Sequence, residues 1–416
     1  MRADTTDRKI FDLLQKEENR QKNQITLIPS ENYTSRAVRE ALGSVLTNKY
    51  SEGYPGKRYY NGNKIVDRIE TLAIERAKKL FGVPYANVQP YSGSPANAAI
   101  YMALLEKGDT LMGMALTAGG HLTHGHPNIT FSGKFFRSVQ FDVDADGWIQ
   151  TDVVQALAQK EKPKLIIVGS TAYPRTFDWK AWRDIADSTG AWLVADISHI
   201  VGLVIGGVHP TPVPYADVIM TTTHKMLRGP RGAIILATER GLTRDPDLAK
   251  KIDRAVFPGL QGGPHDNVTA AIAIALGEAS SPTYQTYAKQ IAINAKVLAR
   301  TLQNKGSTLV TGGTDNHLMV VDLRPQRISG KDAADVLESV GIVVNRNTIP
   351  HDSASPFNPS GIRLGTPAVT TRGMKEEEMQ IIGTSISDII HHPADERVKK
   401  AVKNSIKQLT EKFIFS

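Results

Sequence analysis

Between residues 164 and 237, short β-branched apolar runs alternate with amphipathic helical stretches. No other feature limits the fold as much. Lys164-Leu-Ile-Ile-Val168 is apolar at successive positions, the pattern of a strand buried on both faces. Asp178–Ala186 then places Trp179, Trp182, Ile185 and Ala186 on one helical face, and Gly190 ends it. Further strands are predicted over Ala191–Ile197, Val218–Thr221 and Gly232–Ala237. Upstream, Ile69, Leu72, Ala73, Ala77 and Leu80 form a second helical stripe, closed by Gly82. This spacing predicts an α/β chain of mostly parallel strands with crossover helices. Ligands of such sheets bind beyond the carboxyl ends of the strands, so the residues just after each apolar run are the ones to inspect.

The pattern changes after Phe257-Pro-Gly-Leu-Gln-Gly-Gly-Pro264. A long helical stretch is predicted over Asn267–Asn304. Strands follow over Thr308–Thr311 and His317–Leu323, a helix over Gly330–Val340, strands over Ile342–Asn345 and Ile362–Leu364, and a final amphipathic helix over Lys375–His391. The expected organisation is a helical arm over 1–25, a large domain over 26–280 and a smaller α+β domain over 281–416.

Composition narrows the chemistry. The 416 residues contain no cysteine, which excludes disulfides, thiolate metal sites and a cysteine nucleophile. The most apolar stretch, Ala270–Leu276, is far short of the ~18 residues of a membrane span. Met1–Asn23 mixes both charge signs without an apolar leader, so a cytoplasmic chain is expected. The formal charge of +8 comes from basic residues that are spread out rather than striped, which favours small anionic ligands over nucleic acid. No two of the 34 glycines are separated by one residue, so the dinucleotide fingerprint is not met. The zinc-protease and serine-elbow motifs are absent as well. His121-Leu-Thr-His124-Gly-His126 lacks a carboxylate partner in sequence, and no metal is expected.

Three features remain. Tyr91-Ser-Gly-Ser-Pro-Ala-Asn97 precedes an alanine-rich helical pattern. Small residues there suit a phosphate, and an ordinary N-cap reads equally well. Asp196 ends a buried strand, where a carboxylate requires a cation or polar partner. A protonated pyridine nitrogen satisfies that need, and so does a plain salt bridge. Lys225 follows the strand end Thr221-Thr-Thr-His224. Most lysines are solvated, but one held behind a strand is a Schiff-base candidate, because burial favours the neutral amine. Together the three make the parts list of a pyridoxal-phosphate enzyme.

Long runs then resemble the serine hydroxymethyltransferase (glycine hydroxymethyltransferase) family. They are Pro29-Ser-Glu-Asn-Tyr-Thr-Ser35, Thr47–Tyr60, Gly119-Gly-His-Leu-Thr-His-Gly125, Thr221–Gly232 and Ser360-Gly-Ile-Arg-Leu-Gly-Thr-Pro367. The resemblance implies the type I pyridoxal-phosphate transferase fold and a homodimer with shared active sites, a tetramer being possible. It implies conversion of serine and tetrahydrofolate to glycine and methylenetetrahydrofolate. By the same resemblance Lys225 carries the Schiff base, Asp196 pairs with the pyridine nitrogen and His121 stacks on the ring. Ser92, Gly93 and Ser94 hold the phosphate, Tyr50 and Gly263 reach it from the partner, and Gly262 also contacts the cofactor. Thr171, His199 and Thr222 line it, with His224 beside the lysine. Arg363 binds the substrate carboxylate, with Ser30 and Tyr59 nearby, and Glu52 moves a proton, supported by Tyr60. Leu116, Gly120, Leu122, Asn347, Ser355 and Phe357 match folate contacts. The chain departs from the family's usual residues at Tyr91, Pro95, Ala118, Met226 and Leu260. The alternative is a folate-independent aldolase or transaldolase acting on β-hydroxy amino acids through the same cofactor residues.

Overall fold

The computed structural model describes residues 7–414; residues 1–6 of the expected arm lie outside them. The helix Arg8–Asn23 starts at Asp7, whose side chain accepts the Ile10 N–H at 3.3 Å. None of its residues is buried, so Ile10, Leu13 and Leu14 stay exposed.

A seven-stranded sheet forms the centre. In spatial order its strands are Tyr85–Asn87, Ala233–Ala237, Val218–Thr222, Trp192–Asp196, Leu165–Val168, Thr110–Met114 and Arg137–Phe141. From Val218–Thr222 to Arg137–Phe141 every neighbouring pair is parallel. Leu165 and Ile167 enter the apolar cluster on one face, and Ile166 and Val168 enter the cluster on the other. That is why the run reads as continuously apolar: each of these side chains contributes about 1.5–3 kcal/mol through burial, and neither face meets water. The strand Ala233–Ala237 departs from the parallel pattern, running antiparallel to both of its neighbours. The segment 223–232 that leads into it is too short for a crossover helix, so the chain must turn straight back. Lys225 lies on that return.

A second sheet is antiparallel throughout, in the order Thr308–Leu309, Leu318–Asp322, Gly361–Gly365 and Asn345–Asn347. The strand Ile25–Thr26 pairs in parallel with Ile342–Val343, and Ile25 and Leu27 are buried in this second core. Three expectations need correction. The helical stretch over Asn267–Asn304 is two helices, Asp266–Ala279 and Pro282–Asn304. Pro282 has no N–H to continue a helix and suits a first turn, and Ser281 Oγ caps that turn by accepting the Tyr284 N–H at 3.3 Å. The strand predicted over Thr308–Thr311 stops at Leu309, because Thr311 takes a left-handed conformation at φ 59°. Helix Glu376–His391 is not the final one: Glu396–Lys412 follows, capped by Asp395. Its lysine-rich face hides a narrow stripe of Val402, Ile406 and Leu409.

Candidate active site

Two strands of the large sheet and one helix converge on one cavity of about 190 Å3. Asp196 ends one strand, Thr222 ends its neighbour ahead of His224 and Lys225, and Ser92, Gly93 and Ser94 begin the helix Gly93–Leu104. All of them line the cavity together with His121, Thr171 and His199. The first turn of that helix leaves backbone N–H groups free for an anion, and the two serines add hydroxyls. A Cβ on Gly93 would sit 2.8 Å from Thr222 Cγ2, so glycine keeps this space open.

The electrostatics divide the cavity. Lys225 Nζ donates to Thr222 Oγ1 at 3.1 Å. Burial brings its pKa down to about 8 against the pull of Asp196, because desolvation penalises the ammonium form. Asp196 accepts from the Ser198 N–H at 3.1 Å and the Ser198 hydroxyl at 2.6 Å, both on Oδ1. Its Oδ2 accepts from Asn97 Nδ2 at 3.1 Å and lies 3.0 Å from His124 Nε2. Burial alone would raise this carboxyl, but its His124 and Ser198 partners outweigh that and hold it below the usual carboxylate range. His121 contacts Thr123 Oγ1 at 2.8 Å, and burial pushes its pKa down to about 4, leaving a neutral ring.

Arg363 and His317 bring the second sheet against residues that line this cavity, without lining it themselves. Arg363 Nε donates to Asn345 Oδ1 at 3.2 Å, and its Nη1 donates to the Thr171 carbonyl. Burial lowers its pKa to about 10, so it stays charged at neutral pH. His199 Nδ1 lies 3.3 Å from His317 Nε2, and burial pushes both rings toward the neutral form.

Several expected site residues do not line this cavity. Tyr50, Glu52, Tyr59, Tyr60, Gly262 and Gly263 form a separate cluster. The Tyr50 and Tyr60 rings meet edge to face at 5.2 Å, and Tyr59 meets Phe257 at 5.7 Å. Glu52 Oε1 lies against Gly262, and the Tyr50 ring lies against Gly263. Arg58 holds the backbone on both sides of Glu52: its Nη1 donates to the carbonyls of Ser51 at 2.9 Å and Gly53 at 2.8 Å. Its remaining nitrogens reach Asp67 at 2.8 Å and Glu70 at 2.6 Å. Tyr91 joins this cluster to the Ser92 turn, its hydroxyl donating to the Gly263 carbonyl at 2.7 Å. Ser30 lines an adjoining cavity of about 350 Å3, shared with His224 and Arg231.

The expected folate positions sit on two loops that meet where Thr348 Oγ1 donates to the Thr117 carbonyl at 3.4 Å. Leu116, Gly120 and Leu122 follow the strand Thr110–Met114, and a Cβ on Gly120 would overlap the Met114 carbonyl. Asn347 ends a strand of the small sheet, and Ser355 Oγ accepts the Phe357 N–H at 3.3 Å. Leu116, Leu122 and Phe357 all expose apolar surface.

Sequence reasoning missed Asn97, His124, Ser198 and His317. Three of them carried a local signal. Asn97 lies four residues beyond Gly93 on the same helix face, His124 three beyond His121, and Ser198 two beyond Asp196. His317 carried none, since only the packing of the two sheets brings it to His199.

Comparison with known proteins agrees with this arrangement. A family model described as serine hydroxymethyltransferase matches residues 3–386. A serine hydroxymethyltransferase of Acidothermus cellulolyticus is 56% identical, over 98% of this chain and 95% of the relative. Those of Rhizobium rhizogenes and Desulfotalea psychrophila are 54% and 53% identical over 98% of this chain, covering 95% and 94% of their own lengths. With the lysine, the carboxylate and the Ser92–Gly93–Ser94 turn in one cavity and this likeness along nearly its whole length, the chain belongs to the serine hydroxymethyltransferase family.

Proposed function

We propose that this chain converts L-serine and tetrahydrofolate reversibly to glycine and 5,10-methylenetetrahydrofolate, using pyridoxal 5'-phosphate. The observation that carries the reading is the single cavity joining Lys225, Asp196 and the Ser92–Gly93–Ser94 turn. The family brings with it the type I pyridoxal-phosphate transferase fold, and the mostly parallel seven-stranded sheet is its large-domain framework. When bound, the cofactor supplies an electron-withdrawing ring that takes up the charge left at the substrate α-carbon as a bond to it breaks.

The residues divide the remaining work. Lys225 offers an amine of lowered basicity as the covalent anchor. Asp196 holds a proton at the ring nitrogen, and His121 covers one ring face. Ser92, Gly93 and Ser94 hold the phosphate, while Thr171, His199 and Thr222 close the walls, with His224 beside the anchor. Arg363 takes the substrate carboxylate, and the anchoring of its fork by Thr171 and Asn345 fixes the direction of the bond to be cleaved. Glu52, with Tyr59 and Tyr60, moves the proton at the substrate hydroxyl, and Ser30 lies on the approach. Leu116, Gly120, Leu122, Asn347, Ser355 and Phe357 receive the folate.

A homodimer with shared sites is part of the proposal. Tyr50, Glu52, Gly262 and Gly263 stand away from the cavity of their own chain, which supports their serving a partner's. The division into an arm over 1–25, a large unit over 26–280 and a small unit over 281–416 belongs to it too. Separate apolar cores support two units, with Ile25 and Leu27 in the small unit's core and Tyr284, Ile291 and Ala292 in the large unit's. The cytoplasm is the compartment assigned. Among the described residues no helix is long and apolar enough to cross a membrane.

The deciding experiment is glycine formation from L-serine with and without tetrahydrofolate. Strict dependence on the folate is expected. Equal turnover without it would instead favour the folate-independent aldolase. A pH test addresses the lysine alone. Its amine is protonated below about pH 8 and neutral above. Capture of pyridoxal phosphate by the apoprotein should therefore quicken about tenfold per pH unit up to that point and then level off. An ordinary lysine would keep accelerating toward about pH 10.

A further inference from the structure

We infer that Ser198 is a positioning residue whose hydroxyl acts as a one-way donor to Asp196, keeping that carboxylate anionic and so keeping the proton on the cofactor's ring nitrogen. The inference rests on the cofactor reading above and concerns a residue that reading leaves without a role. Ser198 is buried and lines the same cavity as Asp196.

The direction of the bond is fixed by counting protons. Ser198 Oγ accepts the Thr222 N–H at 3.1 Å, and an N–H can only donate. That occupies the oxygen as acceptor on the side of the neighbouring strand and leaves its single hydrogen for Asp196 Oδ1 at 2.6 Å. The remaining neighbour, Met220 Sδ at 3.7 Å, is a weak acceptor. The oxygen keeps a second lone pair, but reversing would send its only hydrogen to the weak Met220 acceptor, so donation to Asp196 is the favoured direction.

The other donors are not equally fixed. His124 Nδ1 accepts the His121 N–H at 3.4 Å, which leaves the hydrogen on Nε2 to point at Asp196 Oδ2. Asn97 Nδ2 reaches Oδ2 at 3.1 Å but has a nearer acceptor in Thr123 Oγ1 at 2.8 Å. A carboxylate has about four acceptor sites, and with Ser198 N–H, Ser198 O–H, His124 and Asn97 all four are taken. An incoming ring N–H must displace one of them. Asn97 is the donor that yields, since it keeps Thr123, whereas the Ser198 hydroxyl has only the weak Met220 Sδ to turn to. Hydrogen bonds to the ionised form favour that form, so the donors that stay, the Ser198 hydroxyl among them, decide where the shared proton rests.

The test uses holoenzyme reconstituted with pyridoxal phosphate carrying 15N in the ring, whose chemical shift reports the ring nitrogen's protonation. The unmutated protein must first bind the cofactor; its failure to do so would sink the cofactor reading itself, whatever the role of Ser198. Ser198→Ala, which removes one oxygen and adds no bulk, is expected to move the ring shift toward the neutral pyridine value. It should also weaken cofactor binding about tenfold and lower kcat while leaving the serine KM within about twofold. Asn97→Ala is expected to leave the ring shift where it was. An unchanged shift in Ser198→Ala overturns the inference, and so do equal shifts in both variants. A merely structural role would lower the melting temperature without moving the ring nitrogen.

Discussion

Lys225→Ala is expected to leave no cofactor covalently attached after borohydride treatment and to reduce turnover by about a thousandfold. The side chain makes one hydrogen bond, to Thr222 Oγ1, while the backbone carbonyl keeps its bonds from Asn32 and Arg228. The variant therefore folds, and its loss is chemical. No substitute is to hand, because an exposed lysine keeps its ordinary basicity and stays protonated at neutral pH. Mass spectrometry of the reduced protein checks the result, and a cofactor adduct persisting in the variant would move the anchor elsewhere. Mixing the inactive Lys225→Ala and Glu52→Gln proteins tests the shared site as well. In a mixed dimer one cavity keeps its own Lys225 and receives an intact Glu52 from the partner. Random reassortment at equal concentrations should restore about a quarter of the original activity. Restoration of nothing would mean that each chain completes its own site.

Arg363→Lys should raise the serine KM about a hundredfold while the holoenzyme keeps its colour. The guanidinium already reaches Asn345 and the carbonyl of Thr171, a residue that lines the cavity, and these two anchors hold the plane of its fork. An ammonium is a point charge with no such plane, and it cannot satisfy both anchors and still meet a carboxylate with two parallel bonds. Bonds to charged groups are worth about 1.5–3 kcal/mol each, so losing one or two accounts for a change of that size. Steady-state kinetics read the KM, and absorbance of the holoenzyme reports the cofactor independently. An unchanged serine KM would remove Arg363 from the substrate carboxylate.

Much of this architecture was written locally. The four-residue core of Leu165–Val168 is apolar on both faces because both faces are covered, and the helix over Trp179–Thr189 announces its Asp178 cap and its Gly190 stop. What was hard to read had specific physical causes. The strand Ala233–Ala237 looks like its parallel neighbours, since apolarity reports burial and says nothing of direction. The break at Ser280-Ser281-Pro282 was masked by apolar periodicity on both sides. Helix Glu396–Lys412 was hidden because three apolar side chains are enough to dock a helix whose other faces are lysine-rich.

The site divides the same way. Lys225, Asp196 and the Ser92 turn were ambiguous singly and legible together, because each lies near a strand end, where a parallel sheet presents its ligands. Their residue types and order along the chain determine what chemistry is available. Only the tertiary structure decided which groups surround each of them. It put four donors on Asp196, set His317 from the second sheet against His199, and kept Glu52 outside the cavity of its own chain. Apart from those of Ser198, two residues from Asp196, the hydrogen-bond contacts join residues 72 to 118 positions apart, and hydrogen bonds act over about 3 Å. No local pattern encodes a distance of that kind, so it exists only once the two sheets have packed.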